Sequence, residues 1–231
     1  MLKYLSYGGG VNSTAMLILL HAEGWEFESI YVDHGCDWPE TREYVEMIQK
    51  HFPITILKPN VEGESNLYDY AYWRKMTPSR TRRWCTDKFK VRVINKYVKK
   101  PCFSLIGFST DEEHRAKFSI DKGIENRFPL LEYEISRQGC VDIIKASGFP
   151  VPIKSGCYFC PFQRIGQWKL LRRKHPDLFC KAVKLEQRRI ERLNETNGKP
   201  QYLADKPLLE VVKEKQGVLW DDMKPPCSCG L

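Results

Sequence analysis

LKYLSYGGGVNSTAMLILLHA, residues 2–22, is the stretch whose reading decides the fold. Leu2–Tyr7 reads as a strand, and Gly8-Gly9-Gly10 breaks it. Val11–Ala22 then sets Ala15, Met16, Leu19 and Leu20 at helical spacing. A strand running through glycines into a helix is the opening half of a βαβ unit. Three glycines at that junction let the backbone approach an anion without side-chain obstruction. The helix adds unbonded N–H groups and the positive end of its dipole, and Ser13 and Thr14 add hydroxyls.

The alternation continues outward. Phe27–Val32 reads as a second strand and Glu40–His51 as a helix, with Pro39 suited to its first turn. Ile54–Leu57 is a third strand, Asp87–Lys99 a basic helix and Cys102–Phe108 a fourth strand. The expectation is α/β: a parallel sheet with helices on both faces, occupying residues 1–127. From about 128 the pattern turns helical, near 135–147, 165–174, 176–194 and 207–215. Residues 128–231 are therefore expected to form a small helical, cysteine-bearing subdomain.

The totals fit this scheme. A chain of 231 residues, 42% hydrophobic, can bury a real core. Its longest apolar runs fall well short of a bilayer span, and the apolar segment after Met1 is too short for a signal-peptide core. The expectation is a cytoplasmic protein with no membrane partner. Nine unevenly spaced cysteines speak for metal ligation or thiol chemistry rather than a disulfide framework. A net charge of +8 suits anionic partners, nucleotides or nucleic acid, as well as an ordinary basic surface.

Four segments carry candidate chemistry. The first is Ser6-Tyr7-Gly8-Gly9-Gly10-Val11-Asn12-Ser13-Thr14, which is neither a Walker-type P-loop, having no lysine, nor a G-x-G-x-x-G loop. Next, Asp33-His34-Gly35-Cys36-Asp37-Trp38-Pro39-Glu40-Thr41 follows the second strand, where ligands of open α/β sheets bind. In the third, Arg82-Arg83-Trp84-Cys85-Thr86-Asp87-Lys88-Phe89-Lys90, cations flank a cysteine; they favour its thiolate and can clamp phosphate or sulfate. The fourth is Ile106-Gly107 through Asp111-Glu112-Glu113-His114-Arg115, again at a strand end. Taken singly, each also has a structural reading as a turn, a cap, a solvated helix face or a surface loop.

In this order the four segments, over about residues 3–165, resemble the PP-loop superfamily of adenine-nucleotide enzymes, in particular its branch of sulfonucleotide (PAPS) reductases and phosphorothioation enzymes. The glycine loop is similar to S-G-G-x-D-S, with Gly8 in place of Ser and Asn12 in place of Asp. The second segment is similar to V-D-T-G-x-x-x-P-E-T, with His34 for Thr. The third matches Arg-x-Cys followed by Lys, and the fourth G-x-x-x-D-E-x-x-R. The resemblance implies a Rossmann-like fold and a nucleotide site of Ser6, Gly8, Gly9, Gly10, Asn12, Ser13, Thr14, Asp33, Gly107 and Arg115. It also implies roles in catalysis for Arg83 and Lys90.

Cys157-Tyr158-Phe159-Cys160-Pro161 has spacing that lets two thiolates share one metal or cluster, or act as a redox dithiol. Cys85 and Cys227 are candidates to complete a set with Cys157 and Cys160, for a 4Fe–4S cluster by the resemblance or for zinc by the same ligands. Cys36, Cys102, Cys140 and Cys180 read as packing residues. Cys229-Gly230-Leu231 is similar to the reductases' C-terminal Glu-Cys-Gly-Leu-His, so Cys229 could instead be a nucleophile.

Three functional expectations follow. One is ATP binding, with Mg²⁺, and adenylation of a target with release of pyrophosphate, in a sulfur-transfer pathway involving nucleic acid or a small molecule and a sulfur-donor protein. The second is reduction of APS or PAPS by Cys229, with thioredoxin as partner. The third is a non-catalytic nucleic-acid-binding module with a structural metal, suggested by the basic helices around Lys169–His175 and Lys181–Arg192. Tyr70, Tyr72, Trp73 and Trp84 could stack bases or fill the core.

Overall fold

The computed structural model describes residues 1–119 and 121–213. Five strands form one sheet: β1 (Leu2–Tyr7), β2 (Glu28–Val32), β3 (Ile54–Leu57), β4 (Cys102–Leu105) and β5 (Ile124–Arg127). All pairings are parallel and the order is β3-β2-β1-β4-β5. The chain reverses its direction of winding between β1 and β4, which opens a crevice at their carboxyl ends.

Alternation along the strands sends side chains to opposite faces. Leu5, Tyr7, Tyr31, Ile54 and Leu105 share one cluster with α1 (Val11–Ala22), α2 (Pro39–Gln49) and α7 (Arg137–Ala146). Tyr4, Ile30, Cys102 and Ile124 share the other with Ile94 of α5 (Arg92–Tyr97). This is the expected α/β sheet covered on both faces.

The chain divides into two compact units, and the division differs from the expected break at residue 128. The sheet unit comprises Met1–Gly63 and Asp87–Gly156. Residues 128–156 join it because Cys140 and Ile144 of α7, both fully buried, pack into the cluster of α1. The second unit comprises Glu64–Thr86 and the described residues from Cys157 onward. It holds α3 (Leu67–Trp73), the short α4 (Trp84–Thr86), α8 (Ile165–Lys174), α9 (Pro176–Glu195) and α10 (Leu208–Val211). Its aromatic segment belongs there because Tyr68 lies against Tyr158 and Phe159, and Tyr70 against Trp84. The buried carboxylate of Glu186 accepts the N–H groups of Leu203 and Leu208, tying the chain after α9 back to that helix.

Between Cys85 and β4 the structure has a π-helical turn, Asp87–Val91, ahead of α5 where one regular helix was expected. A 3₁₀ segment, Thr110–Arg115, follows β4, and α6 (Pro129–Glu132) follows β5. Among the described residues no helix is long and apolar enough to cross a membrane.

Candidate functional site

The glycine loop lies directly after β1, at the switch point of the sheet. Gly9 has φ +64, and a Cβ there would stand 2.9 Å from Val45 and 3.0 Å from Thr41 of α2. A Cβ on Gly10 would meet Ser155 Oγ at 2.5 Å. Gly107, after β4, packs against the Asn12–Ser13 backbone, where a Cβ would come to 3.3 Å. Ser13 closes the loop from inside: its Oγ accepts the N–H groups of Gly8 (3.2 Å) and Gly10 (3.3 Å). The N–H groups of Val11, Asn12 and Ser13 in the first turn of α1 have no acceptor within the helix, an arrangement suited to receiving an anion.

Asn12 is the centre of a network that links three segments. It is buried at the start of α1, and its amide NH₂ donates to Glu112 (2.8 Å) and Ser109 (3.3 Å). Its carbonyl oxygen accepts from the Arg137 guanidinium at 2.6 Å. An amide can donate to a carboxylate and accept from a guanidinium at once; an aspartate here could do only the second. That accounts for Asn12 where the resembled motif has Asp. Arg115 pairs with Glu112 and lies over the Phe108 ring, 4.5 Å from its centroid. Arg137 was not singled out in the sequence: it opens α7, far along the chain from Asn12. Its side chain is exposed apart from that bond, and its N–H donates to Asp111 at 2.6 Å.

The other expected nucleotide residues divide. Asp33 follows β2 half-buried, and its carboxylate accepts the Gly35 N–H at 2.9 Å, a turn-forming bond. Ser6 is half-buried inside β1, paired with Ile30. Thr14 is fully buried with its hydroxyl 3.2 Å from that of Tyr7, so it braces α1 within the core.

Beside this loop is a buried polar cluster that sequence reading missed. Tyr31 donates to Asp37 at 2.6 Å, and His34 Nε2 lies 3.5 Å from the other oxygen of that carboxylate. Burial pushes the His34 imidazole down to about 4, with Lys90 adding to the shift against the opposing pull of Asp37. Burial alone would raise Asp37, but Lys90, His34, the Tyr31 hydroxyl and Arg42 together hold it below the usual carboxylate range. The imidazole is neutral at pH 7, and since Nδ1 accepts the Cys36 N–H at 3.3 Å, its proton sits on Nε2 toward Asp37. The charge of Lys90, expected at the reaction centre, thus bears on buried Asp37, a coupling that no short motif announces.

In the second unit, Arg83 lies over the Phe162 ring at 5.5 Å, and Arg80 donates to the Pro161 carbonyl at 3.1 Å. The segment before Cys85 is therefore brought to the segment after Cys160. The Cys157 carbonyl accepts the Cys160 N–H at 3.1 Å, closing a turn between the two cysteines. Among the described residues, however, no three His, Cys, Asp or Glu side chains group as a metal site. Cys227 and Cys229 lie outside the described residues, so the 4Fe–4S or zinc set is not assembled from the residues described. Cys102 and Cys140 are buried thiols raised by that burial, Cys140 to about 11, which suits packing rather than chemistry.

Comparison with known proteins adds three findings. Residues 3–146 match the family described as the phosphoadenosine phosphosulfate reductase domain. Two uncharacterized proteins of Methanocaldococcus jannaschii are relatives in sequence. MJ0066 is 25% identical over 201 residues, covering 76% of this chain and 39% of that protein. MJ0973 is 23% identical over 195 residues, covering 77% and 46%. The chain thus spans less than half the length of these curated relatives. A phosphoadenylyl-sulfate reductase from Candida auris, solved as a phosphate complex, is similar in fold with TM-score 0.51 at 15% identity, over 66% of this chain and 75% of that one.

Proposed function

Because the chain belongs to the phosphoadenosine phosphosulfate reductase domain family, within the PP-loop superfamily, we propose that it is an enzyme that binds an adenine nucleotide and acts at the α-phosphate. The reading taken furthest is transfer of the adenylyl group of ATP to an acceptor oxygen, as the activating step of sulfur transfer. The acceptor oxygen bonds to the α-phosphorus while the bridging bond to the β-phosphate breaks and pyrophosphate leaves. The observation that carries this is the glycine loop at the sheet's switch point, with the start of α1 behind it and the guanidinium of Arg137 held at its rim by Asn12.

Each residue has a task in that scheme. The first-turn N–H groups of α1 hold phosphate oxygens, and Arg137 and Arg115 offset charge as it moves onto the leaving group. Asn12 positions Arg137, while Glu112 orients both Asn12 and Arg115. Mg²⁺ accompanying ATP would supply further charge neutralisation when bound. The cluster or zinc enters no step.

The test is a product assay with ATP, APS and PAPS. Pyrophosphate is expected from ATP. Arg137→Ala should lower kcat/KM for ATP roughly ten- to hundredfold, the equivalent of one charged hydrogen bond at about 1.5–3 kcal/mol. No product from any of the three nucleotides would sink the proposal. Sulfite from APS or PAPS, abolished in Cys229→Ser, would replace it with the reductase reading, which the family description and Cys229-Gly230-Leu231 favour.

A further inference from the structure

Trp73 ends α3 with 68% of its surface exposed. An indole left in water forgoes a large burial gain, so an exposed one invites an account. Its ring stands edge-on to Tyr72, with centroids 5.5 Å apart and an interplanar angle of 82°. Around it Arg74, Lys75, Met76, Arg192 and Glu195 line a shallow open pocket of about 520 Å³. The acidic residue is already matched, since Lys75 Nζ lies 2.8 Å from Glu195. Arg192 donates to the Arg74 carbonyl at 2.7 Å, which fixes its guanidinium at the pocket wall.

The pocket continues into a stripe of cations. Lys181, Lys184, Arg188 and Arg192 recur along α9 at spacings of three, four and four, and so share one side of that helix. They extend over about 16 Å at the rise of an α-helix. Lys181, Lys184 and Arg192 are exposed, while Arg188 is half-buried, pairs with Glu191 at 3.2 Å and lies 5.1 Å from the Tyr72 ring centroid. The stripe therefore ends at the aromatic pair.

We propose that this face of the helical unit binds single-stranded nucleic acid, with a base stacked on Trp73 and the phosphates following α9. A flat exposed ring accepts any unstacked base, and a line of cations matches a repeating anion. A duplex keeps its bases stacked on one another and has no face to offer the indole. An acidic peptide would satisfy the cations but leave Trp73 in water. All of these residues belong to the second unit, so binding here does not depend on the nucleotide reading above.

Fluorescence anisotropy with the full chain tests it, using labelled oligothymidylate and oligouridylate about twelve nucleotides long, within the usual range of such sites. Binding should weaken steeply between about 50 and 200 mM salt. Trp73→Ala should weaken it roughly 5- to 150-fold, as removal of one stacked base does, and Trp73→Phe should recover most of that. Arg192→Glu is an independent arm: the slope of log K against log salt should shrink by about 0.7 for each phosphate that is no longer neutralised. Absence of binding, or wild-type binding by both Trp73→Ala and Arg192→Glu, would overturn the proposal. Displacement of the oligonucleotide by duplex DNA or polyglutamate as readily as by unlabelled single strand would do the same.

Discussion

Gly9 answers two demands, a left-handed backbone and close approach to α2. Gly9→Ala should cost about 1–2 kcal/mol for the backbone and about 1–3 kcal/mol more for overpacking against Val45 and Thr41. A lowered urea midpoint together with weaker ATP binding is the expected result. His34 sets a pH dependence. The unfolded chain takes up a proton at an ordinary imidazole near 6.5, while the folded one resists until about 4. Stability is therefore complete above about pH 6.5 and declines as pH falls toward 4, by roughly 3 kcal/mol. Asp37, held below the usual carboxylate range, gives up its share only at lower pH still. Urea titrations at pH 7 and 4.5 should show the decline, and His34→Gln should shrink it. The glycines were legible in the sequence because their chemistry is local. Arg137 and the Tyr31–Asp37–His34 cluster were not, because their meaning comes from partners that only the folded chain brings near.

At the scale of elements, α7 does two jobs through its first turn. Ser136 caps it by accepting the Gly139 N–H at 3.1 Å, and Arg137 follows immediately. Ser136→Ala should cost about 1 kcal/mol, read as a shifted denaturation midpoint, and should loosen Arg137 enough to raise KM for ATP. Strongly periodic elements were visible beforehand: β1, α1, β3 and α8 have the expected bounds. Strand β5, Ile-Glu-Asn-Arg, was missed since an edge strand can be short and polar. Helix α3, Leu-Tyr-Asp-Tyr-Ala-Tyr-Trp, was missed because its tyrosines fall at alternate positions, 68, 70 and 72, and mask the helical period.

For the whole molecule, the composition pointed to an α/β chain with a helical appendage, and the parallel sheet followed from the alternation. The partition did not, because sequence order hides that 64–86 folds with residues a hundred positions later. A chain ending at Gly156 should keep native-like protection from hydrogen exchange in β1, β2 and β4. The amides of Tyr70 and Met76, bonded to Asn66 and Ala71 in the full chain, should lose theirs. Equal protection in both chains would show that this segment stands without its later partners. The same arrangement bears on biosynthesis. A ribosome delivers Tyr68, Tyr70 and Tyr72 long before Tyr158, Phe159 and α9 exist to cover them. A nascent chain must carry an uncovered aromatic strip while the residues between Tyr72 and Tyr158 are added, the stage at which chaperone capture or aggregation would claim it.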